Sequence, residues 1–230
     1  MKISVVIPAH NEEKNIASTI EAVLAQDYPD FEIIVVDNAS VDRTSEEAMK
    51  FPVQVVREDR KGLLWARECG RLSSSGDIIA NIDADCLPDS NWLTTGAKHF
   101  ENKNVVAASG PYDYYDTDKF FRNSSLFIQK HIYRATGHLL QLPFIKKGAV
   151  LIGGNNFIRA ETIEKAGGYN TDLVFYGEDT DTAKRVAHHG RVVFDPKLIM
   201  KTSGRRFKDE GTLATFGRYL FHFVKTIFSK

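Results

Sequence analysis

Cysteine is scarce: 230 residues contain two, Cys69 and Cys86, and no Cys-x-x-Cys spacing. That excludes a thiolate zinc site and a disulfide framework, and it fits a reducing cytoplasm. No run of about 20 apolar residues is present, the length a membrane-spanning helix needs. Even the aromatic stretch near the C-terminus is interrupted by His222 and Lys225. A secretory leader is not expected, because MKISVVIPAHNEE has one lysine and too short an apolar run, so the chain is read as mature from Met1. Net charge is zero, with 30 Lys and Arg against 30 Asp and Glu, which removes the global field that nucleic-acid binding uses. No Gly-x-Gly-x-x-Gly follows the first apolar run, which argues against a dehydrogenase. Internal repeats, low-complexity segments and linkers are missing as well.

What is present is a strand-helix alternation. Ile3 to Ile7 and Ile33 to Val36 are short apolar runs rich in β-branched residues, as in strands buried on both faces. Between them Ile16, Ile20, Val23 and Leu24 recur at helical spacing and stop before Tyr28-Pro29. SVDRTSEEAMK reads as a capped helix. Val53 to Val56, a helix over 63–73 and Ile78 to Ile82 continue the order, which predicts one α/β domain with a mostly parallel sheet and helices on its faces. After residue 90 the spacing predicts a helix over 90–100, a strand over 104–109 and a long amphipathic stretch from Lys119 to Leu142. Next come a loop, strand and short helix in GGNNFIRAETIEKAGGY, a helix from Asp179 to His188 and a strand from Arg191 to Phe194.

Polar residues gather where the apolar runs end: His10-Asn11-Glu12, Asp37-Asn38, and Asp83 with Asp85. In open α/β sheets ligands bind beyond the carboxyl ends of the strands, so these clusters are expected on one rim. Two carboxylates leaving a buried strand are costly without compensation. A hard divalent cation, Mg²⁺ or Mn²⁺, provides it, and such ions complete their shell with phosphate oxygens and water. Asp-x-Asp alone is more often a solvated turn; the other clusters on the rim tip the reading toward a metal. In YGEDTDTAK, Glu178, Asp179 and Asp181 open a helix, where acids also serve as simple caps. Their crowding should raise at least one pKa, which suits a general base. Adjacent His188 and His189 point to different sides of a helix and are read as structural or solvated.

The run ISVVIPAHNEEKNIASTIEAVLAQDYPDFEIIVVDNASVDRT, followed by GLLWARECGRLSSSGDIIANIDADCLPDSNWL and GGNNFIRAETIEKAGGYNTDLVFYGEDTDTAKRVAHHGRVVFDP, resembles the family 2 glycosyltransferases. These are mostly inverting enzymes on the Rossmann-like, nucleotide-sugar-binding GT-A fold. The resemblance reaches to about residue 200. It implies a glycosyltransferase GT-A domain over 1–204, with a nucleotide-binding half over 1–100 and an acceptor half over 101–204. It also implies a metal-dependent transfer from a nucleoside-diphosphate sugar, a UDP-sugar first and GDP or dTDP donors as alternatives. Pro8, His10 and Glu12 would form the first donor loop, with Glu12 near the ribose, and Asp37 would read the base. Arg67 would lie near the base or diphosphate. Asp83 and Ala84 would contact the donor, and Asp85, with Asp83 beside it, would hold the metal. Asp179 matches the aspartate that removes the acceptor proton, with Glu178 near the acceptor. Gly154, Asn155 and Asn156 would meet acceptor hydroxyls. Plainer readings exist for several: a helix cap for Asp37, a surface ion pair with Glu68 or Glu58 for Arg67, a tight turn for GGNN.

Residues 205–230 form a basic amphipathic tail. From Lys201 onward there are seven Lys and Arg (Lys201, Arg205, Arg206, Lys208, Arg218, Lys225, Lys230) against Asp209 and Glu210. Arg205 and Arg206 match phosphate geometry and are expected over the donor diphosphate or an acceptor phosphate, an ordinary basic loop being the alternative. Leu213, Phe216, Leu220, Phe223 and Ile227 recur at helical spacing and are expected to share one face. That face would pack on the domain, on another subunit, or on the inner face of the cell membrane, where a lipid-linked acceptor of envelope polysaccharide would reside. Competing readings are a sugar nucleotidyltransferase, disfavoured because PAHNEE lacks a glycine, and a scaffold that binds nucleotide sugar without turnover.

Overall fold

The computed structural model describes residues 1–145, 148–173 and 176–228; Lys230 of the basic tail lies outside them. In the first half, strands β1 (Ile3–Ala9), β2 (Phe31–Asn38), β3 (Gln54–Glu58) and β4 (Ile78–Ile82) alternate with helices α1 (Ile16–Leu24), α2 (Thr44–Ala48) and α3 (Leu63–Ser73). All of these strands pair in parallel: β1 lies between β2 and β4, and β3 lies outside β2. Each residue of β1 and β4 is buried, because apolar layers cover both faces of the sheet. Successive side chains serve opposite layers. Val5 and Ile7 join Ile16, Ile20 and Trp92 in one cluster, while Val6 joins Leu64, Ala66 and Val186 in the other.

The second half runs β5 (Leu87–Pro88), α4 (Trp92–Lys98), β6 (Val105–Ser109), β7 (Tyr112–Tyr114) and α5 (Lys119–Ile128). A π turn over Gln129–Tyr133 joins α5 to α6 (Arg134–Leu140). Then follow β8 (Asn155–Arg159), α7 (Ala160–Lys165), α8 (Glu178–Ala187), β9 (Arg191–Phe194), β10 (Met200–Thr202), α9 (Arg205–Glu210) and α10 (Thr212–Phe228). The main sheet is ordered β3-β2-β1-β4-β8-β6-β9, and a smaller one β5-β10-β7. Among the described residues only β8 interrupts the parallel pattern of the main sheet, running antiparallel to β4 and to β6. This mostly parallel α/β sheet flanked by helices is the architecture expected from the alternation.

Two pairings set up the rim. β8 lies directly against β4, with Ile82 opposite Asn155, so the turn before β8 falls beside the exit of β4. β10 pairs antiparallel with β5, Met200 opposite Pro88 and Lys201 opposite Leu87, which carries Thr202 and the start of α9 to the same exit.

The α10 stripe differs from expectation. Thr215 and Ile227 are buried and Phe216 and Phe223 half-buried, but Leu213 and Leu220 are exposed together with Phe221, Val224 and Phe228. Apolar residues occupy a wider arc of this helix than its contacts with α8 and α9 can cover, so the expected single face is split.

Candidate active site

Asp83 and Asp85 follow the last residue of β4. Asp85 is largely enclosed, with Oδ1 3.4 Å from the Thr202 hydroxyl and Oδ2 3.5 Å from Arg205 Nη2. Burial, then the nearby Asp83 charge, pushes its pKa up to about 6 despite the opposing pull of Arg205. Asp83 accepts a 2.8 Å hydrogen bond from the Tyr112 hydroxyl, and Arg67 Nη2 lies 3.7 Å from its other oxygen.

Arg67 connects this pair to the second acidic cluster. It projects from α3, is 4% exposed, and donates from Nη1 to Asp179 Oδ1 at 3.1 Å. Asp179 Oδ2 accepts from the backbone N–H of Gly153 at 2.9 Å. Burial opposes the guanidinium charge, but Asp179, Asp83 and Glu178 together hold the Arg67 pKa above its ordinary value. Arg67 Nε is buried without a hydrogen-bond partner among the described residues. The plainer reading of Arg67 does not hold: it is buried, and its ionic partners are Asp179 and Asp83 rather than Glu68 or Glu58.

The acids at the start of α8 separate in role. Asp181 pairs with Arg185 at 2.8 Å, away from the rim. Glu178 is buried, and desolvation followed by repulsion from Asp179 raises its pKa to about 7. Asp179 is also raised by burial, with Arg67 and the Gly153 amide opposing. Crowding was the expected cause of such shifts; removal from water is the larger one.

The paired glycines explain how the two clusters come so close. A Cβ on Gly153 would lie 2.2 Å from Asp179 Oδ1 and 2.3 Å from Arg67 Nη2; one on Gly154 would lie 2.1 Å from Asp83 Oδ2. Any side chain here would occupy the space of the carboxylates. The asparagines behave differently from expectation. Asn155 is fully buried, accepting from Trp92 Nε1 at 2.9 Å and donating to Leu198 O at 2.7 Å. Asn156 donates to Ile152 O and Gly153 O and accepts from Asn81. Both begin strand β8 rather than preceding it; the Asn156 side chain is committed to the glycine turn and that of Asn155 to Trp92, Pro111 O and Leu198 O.

The first-strand loops complete the rim. Pro8 and Ala84 are buried, and the Ala84 carbonyl accepts from Thr19 at 2.8 Å. His10 Nδ1 lies 2.7 Å from Asn38 O, tying the β1 exit to the β2 exit. Asp37 has both oxygens engaged: Oδ1 by Ser40 N at 3.0 Å, Oδ2 by Ser45 at 2.7 Å and Arg57 at 2.9 Å. Those bonds outweigh burial and keep its pKa below the usual carboxylate value. Glu12 forms an ion pair with Arg205, so α9 reaches back across the rim to the first loop. Arg206 diverges from its neighbour and donates to the Tyr219 hydroxyl of α10 at 2.7 Å. The two arginines therefore do not act as one clamp in this structure.

The donor set suits a hard divalent cation in one respect that the structure shows: Asp85 is largely enclosed, its one ionic contact is with the half-exposed Arg205 at 3.5 Å, and Asp83 stands two residues away. No group of three or more His, Cys, Asp or Glu positioned for a metal occurs among the described residues. Two carboxylates and ligand-supplied oxygens are the arrangement left open.

A profile of Glycosyl transferase family 2 matches residues 4–167, which includes β1 through β8 with both Asp83 and the glycine turn. The chain belongs to glycosyltransferase family 2. Its relatives include glycosyltransferase AglE of Haloferax volcanii, 30% identical over 196 residues covering 82% of this chain and 62% of AglE. Another is the UDP-Glc:alpha-D-GlcNAc-diphosphoundecaprenol beta-1,3-glucosyltransferase WfaP of Escherichia coli, 30% identical over 154 residues, 65% of this chain and 55% of WfaP. Among solved structures, mannosyltransferase PcManGT of Pyrobaculum calidifontis in complex with GDP-Man and Mn²⁺ superposes with a TM-score of 0.76 over 99% of this chain and 64% of that one, at 24% identity. The family 2 chain thus spans about three fifths of the length of these proteins.

Within this family 2 fold, sequence reasoning passed over Tyr112 and Thr202, which contact Asp83 and Asp85. Tyr112 follows Gly110-Pro111 just after an apolar run, a strand-end signal of the same kind as those used. Thr202 had no local signal, since only the β5–β10 pairing places it.

Proposed function

We propose that this chain transfers a glycosyl group from a nucleoside-diphosphate sugar to an acceptor hydroxyl with inversion, using Mg²⁺ or Mn²⁺ held by Asp85 with Asp83 beside it. One observation carries the reading. Asp83 and Asp179, from separate elements, face a single buried guanidinium across a glycine floor, so a metal-side carboxylate and a base-side carboxylate share one rim.

Asp179 is held by the Gly153 amide and Arg67, and its raised pKa makes it a better proton acceptor than a free aspartate. It takes the acceptor's hydroxyl proton while that oxygen bonds to the anomeric carbon. The bond from that carbon to the diphosphate oxygen breaks on the opposite face, and the electron pair leaves with the nucleoside diphosphate. A bound divalent cation supplies charge neutralisation for the departing diphosphate. Arg67 spans the two acids, limiting their mutual repulsion and fixing the base in place. Arg205, now on Glu12 and Asp85, is the cation from this chain best placed to turn to diphosphate oxygens. UDP-Glc for WfaP and GDP-Man in the complex of PcManGT support a nucleoside-diphosphate sugar without choosing the base.

Thermal denaturation with UDP, GDP or dTDP, each with and without Mn²⁺, tests the reading. Stabilisation that needs both nucleotide and metal, and that Asp85→Asn abolishes, is the expected result. Stabilisation indifferent to metal and to that substitution would count against it.

A lipid-linked acceptor is part of the same proposal. No described helix is long and apolar enough to cross a membrane. The outward face of α10 nevertheless presents Leu213, Leu220, Phe221, Val224 and Phe228 with Arg218 and Lys225 on the same helix, the pattern of a helix lying on an anionic surface. Co-sedimentation with anionic liposomes at low salt, lost in Leu220→Asp/Phe221→Asp, is expected; a chain that stays in the supernatant overturns this part alone.

A further inference from the structure

The smaller sheet delivers one hydroxyl to each rim aspartate. β7 and β10 lie side by side in parallel, Met200 beside Tyr112 and Thr202 beside Tyr114. From β10 the Thr202 hydroxyl stands 3.4 Å from Asp85 Oδ1, and from β7 the Tyr112 hydroxyl donates to Asp83 Oδ2 at 2.8 Å. The Tyr112 contact has the length of a strong O–H···O bond, and the Thr202 contact is long for one. An ionised carboxylate only accepts, so the phenol is the donor.

Asp83 depends on that donor. Its side chain is 36% exposed, and Arg67 Nη2 stands 3.7 Å from Oδ1, beyond hydrogen-bond reach. Among the described residues the Tyr112 bond is the one hydrogen bond made to this carboxylate. The terminal torsion of an aspartate is broad and roughly two-fold, so without a directional partner the carboxylate has no fixed plane.

Tyr112 is mounted to keep the bond in place. Its ring packs against two hydrophobic clusters at once, one containing Trp92 and Phe157, the other Val150, Ile152 and Phe194. Its backbone is gripped by the buried Gln129 of the π turn. Gln129 Oε1 accepts from Tyr112 N at 2.8 Å and Nε2 donates to Tyr112 O at 3.0 Å, so an amide side chain stands in for a neighbouring strand on the free edge of β7. π turns inside helices recur at functional sites, and this one places Gln129. The next residue of β7, Asp113, is bound through both oxygens by Arg122 of α5. Gly154 leaves room for the bond: a Cβ there would lie 2.3 Å from the Tyr112 hydroxyl and 2.1 Å from Asp83 Oδ2.

We propose that Tyr112 is a positioning residue, whose hydroxyl fixes the plane of the Asp83 carboxylate and thereby sets the affinity of the rim for a divalent cation with nucleoside diphosphate. The proposal rests on the reading of Asp83 and Asp85 given above. Hydrogen bonds that orient ligating carboxylates typically govern metal affinity by about 10–100-fold.

Electron paramagnetic resonance titration of the full chain with Mn²⁺ in saturating UDP, and again in saturating GDP, tests it on wild type, Tyr112→Phe, Asp83→Ala and the double variant. Tyr112→Phe should weaken Mn²⁺ binding about tenfold. In the Asp83→Ala background, where Asp85 keeps binding measurable, the same change should have no further effect, because two groups acting through one contact are not additive. Tyr114→Phe is the control. It removes the same atom from the neighbouring tyrosine of β7, and should bind Mn²⁺ as wild type does. Circular dichroism checks that each variant folds. Wild-type affinity in Tyr112→Phe, an undiminished loss in the Asp83→Ala background, or the same loss in Tyr114→Phe overturns the proposal and leaves the transfer reading standing. A wild-type chain that binds no Mn²⁺ with either nucleotide overturns the metal reading itself, and this proposal with it.

Discussion

Asp85 and Asp179 stand on one rim and both have pKa values raised by burial, yet they are balanced by arginines of different character. The partner of Asp179 is Arg67, 4% exposed, rooted in α3 and shared with Asp83. The partner of Asp85 is Arg205, 50% exposed, arriving from the tail helix and shared with Glu12. A buried guanidinium enclosed by acids is fixed in place before any ligand arrives. A half-exposed one can leave at small cost. The Asp179 side of the rim is therefore preorganised, and the Asp85 side is exchangeable.

Four experiments sharpen or break that contrast. The largest effect is expected at the proposed base: Asp179→Asn should lower sugar transfer by about 10²–10⁴ while the nucleotide-induced thermal shift persists. Undiminished transfer would remove Asp179 from the chemistry. Next comes stability, measured by urea denaturation. Arg67→Ala takes a buried guanidinium away from Asp179 and Asp83, whose partial exposure lets water compensate in part, and should cost about 1.5–3 kcal/mol, whereas Arg205→Ala should cost about 0–1 kcal/mol. Equal costs would erase the distinction between the two arginines.

On the exchangeable side, Asp85→Asn should weaken Mn²⁺ binding in the presence of nucleoside diphosphate, read by electron paramagnetic resonance, by at least about 10–100-fold. Retention of wild-type affinity would move the metal elsewhere. The smallest effect concerns Glu178. Its pKa is 4.5 in the unfolded chain and about 7 in the fold, so the native state binds the extra proton and loses stability as pH rises between those values. Glu178→Gln should therefore melt higher than wild type above pH 7, and the two melting temperatures should converge below about pH 4. A pH-independent difference would mean that Glu178 titrates in the fold as it does in the unfolded chain.

Much of the fold was legible because its signals are local. An apolar run of four or five β-branched residues announces a doubly covered strand wherever it sits, and helical spacing followed by Tyr28-Pro29 marks a helix and its end. Acids placed directly after such runs, as at Asp83 and Asp85, had to lie on the carboxyl-end rim. Asn155 and Asn156 misled because adjacent polar residues after two glycines resemble a binding loop, and their deep burial depends on Trp92, Asn81 and Leu198. The α10 stripe misled for a related reason: periodicity shows which residues share a face, but the neighbouring elements decide how much of that face is covered.

Sequence alone determined the order of strands and helices, the parallel character of the first four strands and the placing of two acidic clusters at element ends. Each depends on residues within a few positions of one another, where periodicity and chain stiffness operate. Tertiary structure decided the partnerships: Arg67 with Asp179 across 112 residues, Thr202 with Asp85 across 117, Arg205 with Glu12 across 193. Those follow from strand order and register, which bring distant segments to one edge, and a short window of sequence contains no record of which segments will meet.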